Sequence, residues 1–283
     1  MQKLQELAQK ERDRQEQFES RIFCCSSTAC LATGSISVQD AINQKIEALE
    51  QKDKMEVVPI GCMGLCSRGP LVKVSTKGQP EVMYQEVGPE LAQEIVVAHQ
   101  LGAGETAFEE HIQNNGQLKE HILPQDTPFF TKQHHFILAQ SGTINPEKLE
   151  DYLAHDGYTT LENVLENMSP EEVCDEIKAS GLRGRGGAGF PVGTKWHFGR
   201  QAPGDEKYVI INGDEGDPGA YMDRTMMEQV PHRILEGLII AAYAIGASQG
   251  YIYVRGEYPI AIQRLQRAIR AAKRRGILGK SVM

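Results

Sequence analysis

The chain has 283 residues, 40% hydrophobic and 24% charged, the composition of a folded globular protein with room for one large or two ordinary domains. Thirty basic against 38 acidic side chains leave a formal charge of -8, and aromatic residues make up only 6%. This argues against binding by phosphate neutralisation or base stacking, so nucleic acid is not an expected partner.

In chain order, residues up to about Arg21 are rich in Gln, Glu, Lys and Arg and predict a peripheral helix. This opening has no apolar h-region, so a secretory signal is not expected. Arg21 to Cys25 predicts a strand, Val38 to Leu49 a helix and Met55 to Ile60 a second strand. A Gly/Cys loop, two strands over Leu71 to Ser75 and Glu81 to Gln85, and a helix over Pro89 to His99 complete a small α/β unit. Residues 1–101 are expected to form this first domain. Residues 102–128, polar and punctuated by Gly, Asn and Pro, are expected to be a linker.

A second domain is expected over 129–283. It begins with Phe129 to Ala139, continues with helices over Pro146 to Ala154, Thr160 to Met168 and Pro170 to Ser180, and reaches a Gly-rich loop. A strand from Lys207 to Asn212, a helix from Pro231 to Ala247, a strand from Tyr251 to Arg255 and a helix from Pro259 to Arg275 follow. Strand and helix alternation makes both domains α/β. Ile234 to Ala247 is too short for a bilayer span and contains Glu236, so it reads as a buried helix; no membrane insertion is expected and the compartment is expected to be cytoplasmic. The seven positive charges from Arg264 to Lys280 read as the solvated face of a helix opposite Ile262, Leu265, Ile269 and Ala272.

Cys25-Ser-Ser-Thr-Ala-Cys30 and Cys62-Met-Gly-Leu-Cys66 are two thiol pairs, each in a loop after a predicted strand. Six cysteines in a chain of this size point to metal ligands or free thiols rather than a disulfide framework. Four thiolates from two loops suit iron and bridging sulfide, and Gly61 and Gly64 let backbone amides approach sulfur. Structural zinc and free thiols are the alternatives; neither pair has the two-residue spacing that zinc knuckles favour. Cys24, next to Cys25 on a strand, is expected to point to the opposite face, and Cys174 to lie in a helical core.

These pairs resemble those of the thioredoxin-like [2Fe-2S] ferredoxin family, and the resemblance implies one [2Fe-2S] cluster on Cys25, Cys30, Cys62 and Cys66.

Two further stretches carry chemistry. Gly181 to Gly193 holds six glycines, with Arg183, Arg185 and, just beyond, Lys195, so backbone amides and cations can cradle phosphate. Asn212-Gly-Asp-Glu-Gly-Asp217 follows a predicted strand, the position where open α/β sheets bind ligands. A flexible loop and a surface turn, respectively, are the plain alternatives.

GLRGRGGAGFPVGTKW, NGDEGDPGAYMDR, PHRILEGLIIAAYAIGA and YIYVRGEY resemble the family of NADH-oxidising flavin subunits of complex I and its soluble relatives. The ferredoxin module in front, with QHHFILAQSGTINPEKLEDYLAHDGY between, is similar to the diaphorase flavin subunits of bidirectional NAD(P)-linked nickel-iron hydrogenases. The fold implied is a thioredoxin-like ferredoxin domain followed by the N-terminal part of a Rossmann-like flavin-binding domain. By motif position Gly184, Arg185, Gly186, Lys195, Asn212, Asp214 and Glu215 would face FMN. Gly187, Ala188, Phe190, Phe198 and Asp217 would lie toward NAD(H) or NADP(H); core packing is the plain alternative for either phenylalanine. No side chain is implied as a nucleophile or general base.

The resemblance also implies that relatives continue past residue 283, so a C-terminally truncated flavin module is expected. Implied partners are other subunits of a hydrogenase, formate dehydrogenase or complex I assembly, including an iron-sulfur subunit. Two other readings are a [2Fe-2S] carrier whose flavin region only docks, and a zinc-stabilised interaction module.

Overall fold

The computed structural model describes residues 2–100 and 114–279, which fall into two compact units, one of Gln5–His155 and the other of the residues before Gln5 together with those from Asp156 onward.

The first unit is built on a four-stranded sheet in the order β2-β1-β3-β4, with β1 at Ser20–Cys25, β2 at Met55–Ile60, β3 at Val72–Thr76 and β4 at Val82–Tyr84. β1 pairs with β2 in parallel, so a crossover must join them, and the helices Thr28–Ala32 and Ser35–Ala48 supply it. The β1–β3 and β3–β4 pairs are antiparallel. Alternation along β1 divides its side chains between two faces. Ile22 and Cys24 pack with Val38, Ile42 and Ile46 of the crossover helix and with Leu91, Ile95 and Val96 of the helix Pro89–Gln100. Phe23 and Cys25 belong to smaller clusters, with Ile60 and with Leu71.

A buried polar chain ties this core together. His99 lies between Thr76 Oγ1, 3.2 Å from Nδ1, and Tyr84 OH, 3.0 Å from Nε2, and Ser20 Oγ is 3.0 Å from Thr76 Oγ1. Burial pushes the His99 imidazole down to about 3, so it is neutral at ordinary pH.

The first unit extends well past the expected boundary. Residues 102–113 of the expected linker lie outside the described residues, but the rest of that stretch is structured. Leu118, on the short helix Gly116–His121, is fully buried in the same core, and Ile122 forms an isolated antiparallel bridge with Tyr84. Two apolar residues four apart find a hydrophobic seat there, which a polar composition average does not reveal. Residues 129–155, expected to open the second domain, also pack within this unit. Gln15 donates to Asp151 Oδ1 at 2.7 Å, and Arg12 to the Ala154 carbonyl at 2.9 Å, from the first helix, Gln2–Gln15.

The second unit is mostly helical. Its helix Pro231–Ile245 buries Leu235, Leu238, Ile239, Ala241 and Ala244. The helix Pro170–Ala179 begins with a capping box: Ser169 Oγ accepts from the Glu172 amide, and the Glu172 carboxylate accepts from the Ser169 amide at 2.7 Å. β5, Tyr208–Gly213, and β6, Gln249–Val254, pair in parallel, with Met222–Gln229 and Pro231–Ile245 between them in sequence. Cys174 is fully buried beside Val164, Val173 and Ala244, as expected.

Two features differ from the sequence reading. Val192–Gln201 and Met222–Gln229 are helices that the sequence patterns do not predict. In the helix Pro259–Arg274, Arg264 is buried and donates to the Glu228 carbonyl at 2.7 Å, so the basic run is not wholly a solvated face. The expected strand–helix–strand order of the second unit is present, and among the described residues its sheet has the two expected strands.

Candidate metal centre and nucleotide loops

β1 ends at Cys25 and β2 at Ile60, and since the two strands are parallel neighbours, the loops that follow them leave the same edge of the sheet. That geometry brings the two cysteine pairs together. Hydrogen bonds from the Cys30 and Cys62 thiols hold the Cys25 thiol far below the ordinary thiol range, against burial, with the Ser27 and Met63 amides assisting. The same contacts, with burial and the Cys25 charge, raise Cys30 and Cys62. Cys62 Sγ lies 3.4 Å from Cys66 Sγ and accepts from the Gly64 amide at 3.2 Å. The four sulfurs therefore form a chain, Cys30 to Cys25 to Cys62 to Cys66. Cys24 is fully buried on the other face of β1 and takes no part, as alternation predicts.

Among the described residues no three His, Cys, Asp or Glu side chains are arranged to hold a single metal ion. Four thiolates supplied by two loops suit a binuclear cluster, because two irons divide four thiolates between them. The backbone leaves room for sulfur here: a Cβ on Gly69 would sit 2.9 Å from Cys30 Sγ and 3.4 Å from the Cys66 carbonyl. Cys25 and Cys30 are buried, Cys62 is half-buried and Cys66 is exposed, so the site has a dry side and a solvent side.

In the second unit the glycine-rich stretch is an open lobe. An isolated bridge pairs Arg183 with Pro191, the Gly184 amide donates to the Phe190 carbonyl at 2.8 Å, and the Val192 amide donates to the Leu182 carbonyl at 2.9 Å. The lobe leads directly into the helix Val192–Gln201, which carries Lys195 in its first turn. A Cβ on Gly186 or Gly187 would meet nothing within 4 Å, so the backbone at the tip is open to a ligand, with Arg185 exposed beside it. This surface fits a phosphate group. Phe190 and Phe198 are 43% and 62% exposed, so neither ring is packed in a core of the described residues.

The acidic loop leaves the C-terminal end of β5. Asn212 Oδ1 accepts from the Asp214 amide at 2.9 Å, a tight local turn. Glu215, at φ 47°, is occupied: its carboxylate accepts from the amides of Asp223 at 2.8 Å and Arg224 at 3.0 Å, at the start of the helix Met222–Gln229. It serves as a helix cap supplied from upstream, because Tyr221 makes no side-chain cap. Its charge also raises the Asp223 carboxyl, after the larger effect of burial. Sequence reasoning missed this capping role, since nothing local marks a contact eight residues long. Asp214 is half-buried, whereas Asn212 and Asp217 are exposed. Among the described residues no hydrogen bond or ion pair joins the glycine-rich lobe to the acidic loop.

Comparison with known proteins finds a match for each half. Residues 12–100 match the family model of the thioredoxin-like [2Fe-2S] ferredoxin, and residues 177–282 match that of the Nuo51 FMN-binding domain. Each region is thus similar to a different family, residues 12–100 to the thioredoxin-like [2Fe-2S] ferredoxins and residues 177–282 to the Nuo51 FMN-binding domain. Among curated relatives, the NADP-reducing hydrogenase subunit HndC of Solidesulfovibrio fructosivorans is 48% identical over 151 residues, covering 53% of this chain and 30% of its own length. An NADH-quinone oxidoreductase subunit of Aquifex aeolicus is 52% identical over 147 residues, covering 52% of this chain and 34% of its own. The chain therefore spans roughly a third of the length of these relatives. Among solved structures, an air-oxidised NAD+-reducing [NiFe]-hydrogenase aligns at 22% identity over 90% of this chain and 41% of that one, with a TM-score of 0.41. The thioredoxin-like [2Fe-2S] ferredoxin of Aquifex aeolicus aligns at 25% identity over 38% of this chain and 98% of that one, with a TM-score of 0.29.

Proposed function

We propose that this chain is the NAD(P)H-oxidising, electron-transferring segment of a multisubunit oxidoreductase of the diaphorase type. Its ferredoxin module would hold one [2Fe-2S] cluster, and its second unit would supply one side of an FMN and NAD(P)H site. The observation that carries the reading is the chain of four thiols, joined in one polypeptide to a glycine-rich lobe with an open tip. When bound, flavin supplies the conversion between a hydride, which carries two electrons, and clusters that accept one at a time.

The protein's own part is positioning and electrostatics. Cys25, Cys30, Cys62 and Cys66 would ligate the cluster, with the Gly64 amide donating to the Cys62 sulfur. Arg185 and the amides of Gly186 and Gly187 would hold phosphate, Gly184 would shape the lobe through its amide's bond to the Phe190 carbonyl, and Lys195 would offset negative charge at the flavin. Asn212 and Asp214 would orient the cofactor. Glu215 would act on the same site by fixing the acidic loop to the helix behind it. The exposed rings of Phe190 and Phe198, with Ala188 and Asp217, would lie toward the nicotinamide nucleotide.

The names of the relatives support partner subunits of a hydrogenase or a quinone-linked dehydrogenase. A cytoplasmic location fits six unpaired cysteines, and among the described residues no helix is long and apolar enough to cross a membrane.

Anaerobic reconstitution with iron and sulfide tests the assignment. Two irons per chain and a thiolate-to-iron absorption envelope are expected, abolished by Cys25→Ser and retained by Cys24→Ser. Stoichiometric zinc in a colourless protein, or loss of iron with Cys24→Ser alone, would overturn it.

A further inference from the structure

We propose that the segment from Pro128 to Ile144 is a cover on the cysteine loop at 61–66, one that positions Cys62 and limits how far water reaches the cluster. The segment lies between the two family matches, and neither assigns it a role. The inference rests on the [2Fe-2S] reading of the four thiols.

Three contacts carry it. Ser141 Oγ donates to the Cys62 carbonyl at 2.7 Å, reaching across 79 residues of sequence to the backbone of a ligand. Gly142, at φ 75°, presses against the same loop: a Cβ there would lie 3.2 Å from Met63 Cγ and 3.6 Å from the Cys62 carbonyl. The Phe129 ring lies over Gly64, with Cε1 3.8 Å from where a Cβ would stand, and Gly64 is the residue whose amide donates to Cys62 sulfur. All three contacts fall on the Cys62 side of the site, the side that leads to solvent at Cys66.

The cover is itself anchored. Gln140 Nε2 donates to the His155 carbonyl at 2.9 Å, Ile144 is buried, and the Asn145 amide donates to Asp151 Oδ2 at 2.6 Å. A surface segment with no role toward the site would not need a serine hydroxyl on a ligand's carbonyl, a left-handed glycine against the ligand loop and a ring over the sulfur-bonding amide. Reduction adds negative charge to a cluster, and water stabilises that charge, so an apolar ring on the solvent side holds the potential down. Ser141 acts through Cys62 and is a positioning residue.

The test uses the full chain with its cluster reconstituted, and reads the potential by electron paramagnetic resonance at controlled potentials. Phe129→Ala is expected to raise the potential and to speed iron loss to a chelator several-fold. Ser141→Ala is expected to change the g-values and the visible circular dichroism, and Ser141→Thr to restore them. Phe136→Ala, in the same segment but 83% exposed, is the control and is expected to match the parent. Parent-like potential, g-values and iron-loss rate in both Phe129→Ala and Ser141→Ala would overturn the cover. So would an equal shift in Phe136→Ala. If the parent chain takes up no iron, the [2Fe-2S] reading fails first, and that failure is visible before any variant is compared.

Discussion

The two units solve the problem of presenting a site in opposite ways. In the first, one face of a four-stranded sheet is sealed by two helices, a buried Ser-Thr-His-Tyr chain crosses its core, and the cysteine loops are pinned at one sheet edge. In the second, the two-stranded sheet leaves Tyr208, Ile210, Tyr251 and Tyr253 exposed, and the tip of its glycine-rich lobe is open. Parallel strands are ordinarily covered on both faces, so this is an unusual surface. The contrast teaches that a cluster site can be organised by its own core, whereas a nucleotide platform built from loops depends on what binds or packs there.

The sharpest way to break that comparison is to destabilise one unit and watch the other. Gly193 lets the helices Val192–Gln201 and Pro170–Ala179 meet, because a Cβ there would lie 2.4 Å from the Lys178 Cα, inside backbone rather than at the end of a flexible side chain. Gly193→Ala is therefore expected to destabilise the second unit by about 1–3 kcal/mol or more. Thermal unfolding should show the second unit melting earlier while cluster absorbance persists. Simultaneous loss of both signals would show that the units fold as one.

The second test turns on His99 in the first unit. Its folded pKa lies below its unfolded value, so the neutral form is bound and the unfolded chain takes up the proton first. Stability is fully present above about pH 6.5 and falls as pH drops toward about 3, by up to about 1.4 kcal/mol for each pH unit. His99→Gln should flatten the pH dependence of chemical denaturation in that window, at some cost in stability at pH 7. An unchanged slope would show that carboxylates dominate instead.

The smallest expected effect concerns Glu215. Removing its carboxylate leaves two amides at the start of Met222–Gln229 without their acceptor, which should cost about 1 kcal/mol. If Glu215 acts on the flavin through the acidic loop, Glu215→Ala should also weaken FMN binding in equilibrium titration, whereas Asn212→Ala should weaken binding with little change in melting. Loss of stability without loss of FMN affinity would make Glu215 a helix cap alone.

The sequence by itself determined most of the elements and marked the two cysteine pairs. Period-two and period-3.6 patterns located most strands and helices to within a few residues, because local burial patterns follow backbone geometry. Alternation along β1 separated Cys25 from Cys24, and the structure places Cys24 in the helix-covered core as that rule requires. The loop spacing marked both cysteine pairs. Composition misjudged the stretch after residue 101, where polar residues outnumber Leu118 and Ile122 but those two decide where the chain goes.

Tertiary structure decided what depends on contacts far apart in sequence. Parallel pairing of β1 with β2 brings the two cysteine loops to one edge, and no local pattern specifies which strands become neighbours. Arg264 looked like one of seven solvated cations, yet a carbonyl on another helix buries it. Glu215 looked like a ligand carboxylate, yet two amides eight and nine residues on claim it. Ser141 carried no signal at all until its hydroxyl was seen on the Cys62 carbonyl. The physical reason is the same in each case: periodicity and spacing report short-range geometry, whereas a polar side chain's role is set by whichever partner the folded chain places within about 3 Å.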